Sequence, residues 1–163
     1  MAVNGRKKGQ TAERKLAKLF GNWWGSNFAR TPLSGGFATA KFREDWNAAG
    51  DLVTPDPSFP FCVESKKVEG WTLEQMLTSD KTHMHKWWAQ TVDETPVNKI
   101  PVLVFTKNRS PLFVMMRTSD LHLSIRLHAA GAIFDTAIGE CPVSVFALDH
   151  LFKTKKEHWI YDR

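Results

Sequence analysis

Asp51, Glu64 and Lys66 are residues of this chain whose types and spacing could do chemistry. Glu64 and Lys66 lie in Phe61-Cys62-Val63-Glu64-Ser65-Lys66-Lys67, a run with the composition of a strand. Side chains alternate along a strand, so Cys62, Glu64 and Lys66 share one face while Phe61, Val63 and Ser65 take the other. Asp51 opens a second short run, Asp51-Leu52-Val53. Between the two, Thr54-Pro55-Asp56-Pro57-Ser58 is turn chemistry, because each Pro fixes its own φ and pushes its predecessor out of the helical region. The runs are predicted to pair as a hairpin, with Asp51 on a strand about 4.8 Å from that of Glu64. Carboxylates facing each other across a sheet repel unless a cation lies between them. A hard divalent cation resolves the conflict, since Mg²⁺ takes oxygen ligands, often one or two carboxylates with waters and substrate phosphates. Lys66 beside it could orient or polarise a water. A solvated hairpin face carrying Asp, Glu and Lys is the competing reading.

The flanking elements must position these groups. A helix is predicted from a Thr11 N-cap to about Trp24, with Leu16, Ala17, Phe20 and Trp24 on one face. Glu13 falls on that face too. Either it answers the helix dipole from the first turn, or it is a third acid aimed at Asp51 and Glu64. Before the helix, residues 4 to 10 form a basic arm carrying Arg6, Lys7 and Lys8. Phe28 to Thr31 reads as a short strand ended by Pro32, and Ser34-Gly35-Gly36 lets a backbone approach a ligand while Ser34 offers a hydroxyl to phosphate. The insertion from Phe37 to Ala49 adds Lys41 and Arg43 as phosphate candidates.

Beyond the acidic motif, Trp71 to Leu77 and Lys81 to Glu94 are predicted helical, the second burying Met84, Trp87, Trp88 and Thr91 and bringing Gln90 to the rim of the site. His83 and His85 diverge on a helix and belong to its surface. Ile100 to Phe105 and Leu112 to Met116 are dense apolar runs, hence a central hairpin, with Lys107 and Arg109 on its turn. Ser119 to Leu127 is a short helix, and Val143 to Ala147 a last strand before a basic tail at Lys153 to Lys156. The order predicts an α/β sandwich, a mixed sheet flanked by helices.

The 163 residues make one domain by size. Seven Trp and eleven Phe against one Tyr is a heavy aromatic load, most of it for the core. A net charge of +5 favours a polyanionic partner such as nucleic acid. Cys62 and Cys141 have no metal-ligand spacing and read as reduced thiols. The first residues lack the apolar stretch of a signal peptide and no segment approaches the roughly 18 apolar residues of a membrane span, so a cytoplasmic protein is expected.

Taken in order, Lys8-Gly9-x-x-x-Glu13-Arg14, Arg30, Ser34-Gly35-Gly36, Gly50-Asp51 and Glu64-Ser65-Lys66 resemble the PD-(D/E)xK nuclease superfamily, and within it the archaeal Hjc-type Holliday junction resolvases and their phage relatives. Gly50 stands where the family's name-giving Pro often precedes the Asp. The resemblance implies a restriction-endonuclease-like sandwich over residues 1–163, and a Mg²⁺-dependent homodimeric endonuclease, with Mn²⁺ able to substitute, that nicks opposing strands of four-way DNA junctions. It implies metal binding by Glu13, Asp51 and Glu64, catalysis by these with Lys66, and an accessory role for Gln90. Arg6, Lys7, Lys8, Arg14, Arg30, Ser34, Lys41, Arg43 and Lys67 are the implied DNA contacts. The dimer interface is expected from the aromatic surplus, around Trp71 or Phe113. The same chemistry would also serve a restriction-like or repair nuclease acting on linear duplex or flaps. A non-catalytic DNA-binding module of this fold is the alternative outside enzymes, but a pure binder gains nothing from carboxylates facing phosphate.

Overall fold

The computed structural model describes residues 5–31, 47–129 and 131–161. Ser34, Lys41 and Arg43 lie outside them. Helix α1 spans Gly5–Trp24, a stretch without Pro and with Thr11 as its one β-branched residue. Leu16, Ala17, Phe20 and Trp24 are buried as the spacing predicts. Gly25 ends the helix in the left-handed region at φ +76°, its N–H donating to the Gly21 carbonyl at 2.9 Å. The start differs from expectation. Helical backbone begins at Gly5, so residues 5 to 10 are turns of α1 instead of an arm, and Thr11 is not its cap. Glu13 therefore lies past the helix's second turn, out of reach of the N-terminal dipole.

After α1 come β1 (Ala29–Arg30), β2 (Asn47–Ala49), β3 (Leu52–Thr54) and β4 (Phe61–Lys67), then α2 (Gln75–Thr78) and α3 (His83–Asp93). Strands β5 (Ile100–Thr106) and β6 (Phe113–Arg117) follow, then a 3-10 turn at Thr118–Asp120 and α4 (Leu123–Ala129). The chain closes with β7 (Ile133–Ile138), β8 (Cys141–Ala147), α5 (Leu148–Phe152) and α6 (Glu157–Tyr161). The central sheet runs β4-β5-β6-β8-β7, with β4 and β5 parallel and the other pairs antiparallel. The predicted hairpin of β5 and β6 forms and is central, whereas β7 was not foreseen: its half-exposed residues lack a dense apolar signal.

Two apolar layers cover the sheet. Val63, Val102, Val104, Val114 and Phe146 face α1 and α5, while Leu103, Phe105, Met115 and Val145 face Trp71, Met84 and Trp88 around α3. Each large side chain so buried contributes about 1.5–3 kcal/mol. The aromatic surplus is core as expected, with Phe59 edge-on to Phe20, Trp24, Phe28 and Phe61. Trp71 is buried in this core against Phe105 and so offers no surface to a partner, while Phe113, 5.9 Å from it, is half-buried. Trp71 also precedes helix α2, which begins only at Gln75.

Two further expectations are corrected. Strand β3 does not form a hairpin with β4. It belongs to a small sheet ordered β1-β3-β2 and meets β4 through one parallel bridge, Gly50 to Val63. The linker is folded on Asp56, whose carboxylate accepts from Ser58 N–H at 2.9 Å and Trp24 Nε1 at 3.0 Å, and Phe59 is drawn into the aromatic cluster. The basic tail is not a tail: Leu148, Leu151 and Trp159 are buried, and Trp23 Nε1 donates to the Thr154 carbonyl at 2.8 Å. Cys62 and Cys141 are both free thiols. Among the described residues no helix is long and apolar enough to cross a membrane.

Candidate active site

The site is built where the chain crosses from β2 to β3 against the open edge of β4. Gly50 takes φ +74°, and a Cβ on it would fall 2.4 Å from the Val63 carbonyl oxygen, so only glycine allows this approach. The crossing is pinned from both sides. Asp51 N–H donates to Val63 O at 2.7 Å, Thr31 N–H donates to Asp51 O at 2.8 Å, and the Thr31 hydroxyl donates to Gly50 O at 2.6 Å. Held so, Asp51 reaches along β4, and its Oδ2 accepts from the Ser65 N–H at 2.8 Å.

On β4 the alternation places Glu64 and Lys66 on one face, opposite Leu103 and Phe105 in the parallel register. Glu64 is buried, 7% exposed, and its Oε1 accepts from Lys66 Nζ at 2.8 Å. Lys66 Nζ also donates to Gln90 Oε1 on α3 at 3.0 Å. Gln90 Nε2 in turn donates to Glu94 Oε1 at 3.0 Å, an i, i+4 link that turns the amide oxygen towards the lysine.

Burial, and then the charge of Glu64, push the Asp51 carboxyl up from 3.8 to about 7; Glu13 adds to this, while the Ser65 N–H and Lys66 oppose it. Three acids thus act on one another in a space of low polarity. Glu13 is not simply the third of a set, because its Oε2 accepts from Arg30 Nε at 3.0 Å. Arg30 Nη2 is buried with no hydrogen-bond partner among the described residues. Cys62, on the Glu64 face, has its thiol pushed up by burial, which makes it a poor nucleophile.

The family model described as "Phage putative PDDEXK endonuclease" matches residues 4–160. The chain belongs to that family. It is accordingly a nuclease of the PD-(D/E)xK type, a class that uses divalent metal ions, and the mixed five-stranded sheet between helices is the restriction-endonuclease-like fold. No curated protein and no solved structure matches the chain.

The hard carboxylate oxygens of Asp51 and Glu64 are chemically suited to a divalent cation. The Asp51 carboxyl, raised to about 7 by burial and then by the charge of Glu64, is a hard oxygen donor whose ionised form a cation would relieve. Among the described residues no group of three or more His, Cys, Asp or Glu side chains is placed to hold a metal ion. The fold brings Asp51, Glu64, Lys66 and Gln90 together and keeps Glu13 at their margin, tied to Arg30. Arg30 is ion-paired with Glu13 through its Nε, Arg14 is exposed on α1, and Lys67 is exposed at the end of β4. Arg6, Lys7 and Lys8 have helical backbone, and their side chains lie outside the described parts. Sequence reasoning missed Glu94, although its i, i+4 spacing from Gln90 was available, and missed Thr31, for which only the fold supplies a signal.

Proposed function

We propose that the chain is a Mg²⁺-dependent endonuclease for branched DNA that resolves four-way junctions as a homodimer. The observation that carries this is the pairing of Asp51 and Glu64 at the edge of β4 with Lys66 held between Glu64 and Gln90. Asp51 and Glu64 are the residues that would hold the cation, and Mn²⁺, which suits the same oxygen donors, is expected to substitute. A bound divalent cation supplies positive charge to the phosphoryl oxygens and eases deprotonation of water.

The chain's own groups do the rest. Ser65 N–H fixes Asp51 Oδ2 and so sets the direction in which Oδ1 is offered. Lys66 keeps an ammonium beside the reacting phosphate, able to hold or release a proton at Nζ, and the Gln90 amide limits the directions it can take. Glu13 holds Arg30 next to the acids, and Arg30 Nη2, without a hydrogen-bond partner among the described residues, offers an N–H to a phosphate oxygen. A net charge of +5 favours a DNA partner. Two nicks on opposing strands require two such sites, which a two-fold dimer provides.

The test is a gel with labelled four-way junction, flap and linear duplex, each with Mg²⁺ or with chelator. Junction cleavage that chelator abolishes is expected. Cleavage of flap or duplex with the junction intact would retain the nuclease and remove the resolvase.

A further inference from the structure

On the other face of β4 from Glu64 lies a cleft of about 250 Å³, between α1 and the turn joining β5 to β6. Lys15, Lys67, Lys107 and Arg109 line it together with the hydroxyl-bearing Ser65 and Thr106, and its described lining includes no carboxylate. Like charges gathered around a hollow repel each other, and an anion placed in it reverses the sign.

The fold holds this arrangement in place. Lys107 lines the cleft, but its Nζ donates to the Trp71 carbonyl at 2.9 Å and lies 4.8 Å from the centre of the Trp71 ring, so its charge is committed to Trp71 and leaves Arg109 and Lys15, with Lys67, as the cations for an anion in the cleft. Arg109 is the one non-glycine residue at positive φ, +57°, among the described residues, and it is exposed. Its turn is tied down by Glu69 Oε1, which accepts from Asn108 N–H at 2.9 Å, and by the Thr106 hydroxyl, which donates to Pro111 O at 3.0 Å. Glycine would take that backbone shape at no steric cost. An arginine there is strained, which points to a use for its guanidinium.

The cleft shares strand β4 with the candidate active site, on the other face of that edge strand. Ser65 lines it and also holds Asp51 through its N–H, and Lys67 directly follows Lys66. From Glu64 to Lys67 the strand advances roughly 10 Å. Phosphates of a duplex strand recur every 3.4 Å or so along the axis, so a strand cut at the acids also has phosphates at that range. A free anion would have no reason to need both.

We propose that the cleft is a phosphodiester subsite that takes the DNA backbone a few nucleotides from the scissile phosphate, with Arg109 and Lys15 as its recognition cations. This rests on the nuclease reading of the neighbouring acids.

The test uses Arg109→Gly, Arg109→Lys and Lys15→Ala, with labelled junction binding followed by fluorescence anisotropy in chelator over a salt series and melting measured alongside. Arg109→Gly should melt no lower than the wild type, because it relieves the left-handed backbone, yet bind at least about 5-fold more weakly. The log-log salt slope should fall by about 0.9 for each lost duplex contact. Arg109→Lys should keep most of the slope, and Lys15→Ala, on the exposed side of α1, should lose a contact without loss of stability. Wild-type affinity and slope in both Arg109→Gly and Lys15→Ala would overturn the subsite and leave the nuclease intact. A wild type that binds no DNA at low salt would remove both. Inorganic phosphate that raises the melting temperature of the wild type but not of Arg109→Gly, with DNA binding unchanged, would make this a small-anion site and overturn the proposal.

Discussion

Gly50 and Val63 are in backbone contact: a Cβ on Gly50 would stand 2.4 Å from the Val63 carbonyl oxygen. This contact delivers Asp51 to β4, since the next N–H donates to that same oxygen at 2.7 Å. The family's Pro would bring a Cβ to this spot as well, so glycine is the residue this crossing demands.

Gly50→Ala should therefore lower stability by roughly 2–6 kcal/mol, combining left-handed strain with overpacking, and should abolish cleavage by displacing Asp51. Urea unfolding and a junction cleavage assay check this. A variant that unfolds and cuts like the wild type would refute the close approach.

The Asp51 carboxyl, raised from 3.8 to about 7, predicts a pH signature in metal-free protein. The folded state binds this proton more tightly than the unfolded chain, so the contribution is fully present below about pH 4 and is lost as pH rises through about 7. Asp51→Asn removes the buried charge and should melt above the wild type at pH 8, with the advantage fading towards pH 4. Mg²⁺ at pH 8 should raise the wild-type melting temperature and leave Asp51→Asn unmoved. Asp51→Asn and Glu64→Gln should both lose cleavage while binding junctions as tightly as the wild type or more so. Near wild-type turnover by either would show that the cation is held elsewhere.

Lys66 contacts Glu64 at 2.8 Å and Gln90 at 3.0 Å. Lys66→Ala should slow cleavage by about 10² to 10⁴, the range of a positioned proton-transfer group. Glu94→Ala removes only the acceptor behind Gln90, an exposed hydrogen bond of about 0.5–1.5 kcal/mol, and should cost about 10-fold at most, in kcat and not in KM. Single-turnover rates over a pH series separate these, and a flat profile with an unchanged rate in Lys66→Ala would take the lysine out of the chemistry.

A cruciform plasmid tests assembly. Paired nicks made before dissociation yield linear product directly, whereas independent nicks relax the plasmid, reabsorb the cruciform and stop at nicked circles. Linear product from a dimer in sedimentation is expected. Nicked circles alone from a monomer would leave a nuclease that is not a resolvase.

The sequence by itself determined what depends on local periodicity. The stripe Leu16, Ala17, Phe20, Trp24 can be buried only as one helix face, the dense runs of β5 and β6 can be only central strands, and the alternation along β4 sets Glu64 and Lys66 side by side whatever the partner strand. Tertiary structure decided what depends on partners distant in the chain. Pairing of β4 with β5 in parallel, through a connection containing α3, excluded the expected hairpin with β3, because the chain around Asp56 and Phe59 is held by Trp24. The return of α5 and α6 onto α1 turned a run of lysines into a helix-bearing cover, since Leu148, Leu151 and Trp159 find a dry surface only there. The ion pair of Glu13 with Arg30 likewise arises from residues on different elements, and hydrogen-bond geometry across a fold has no period that a sequence can display.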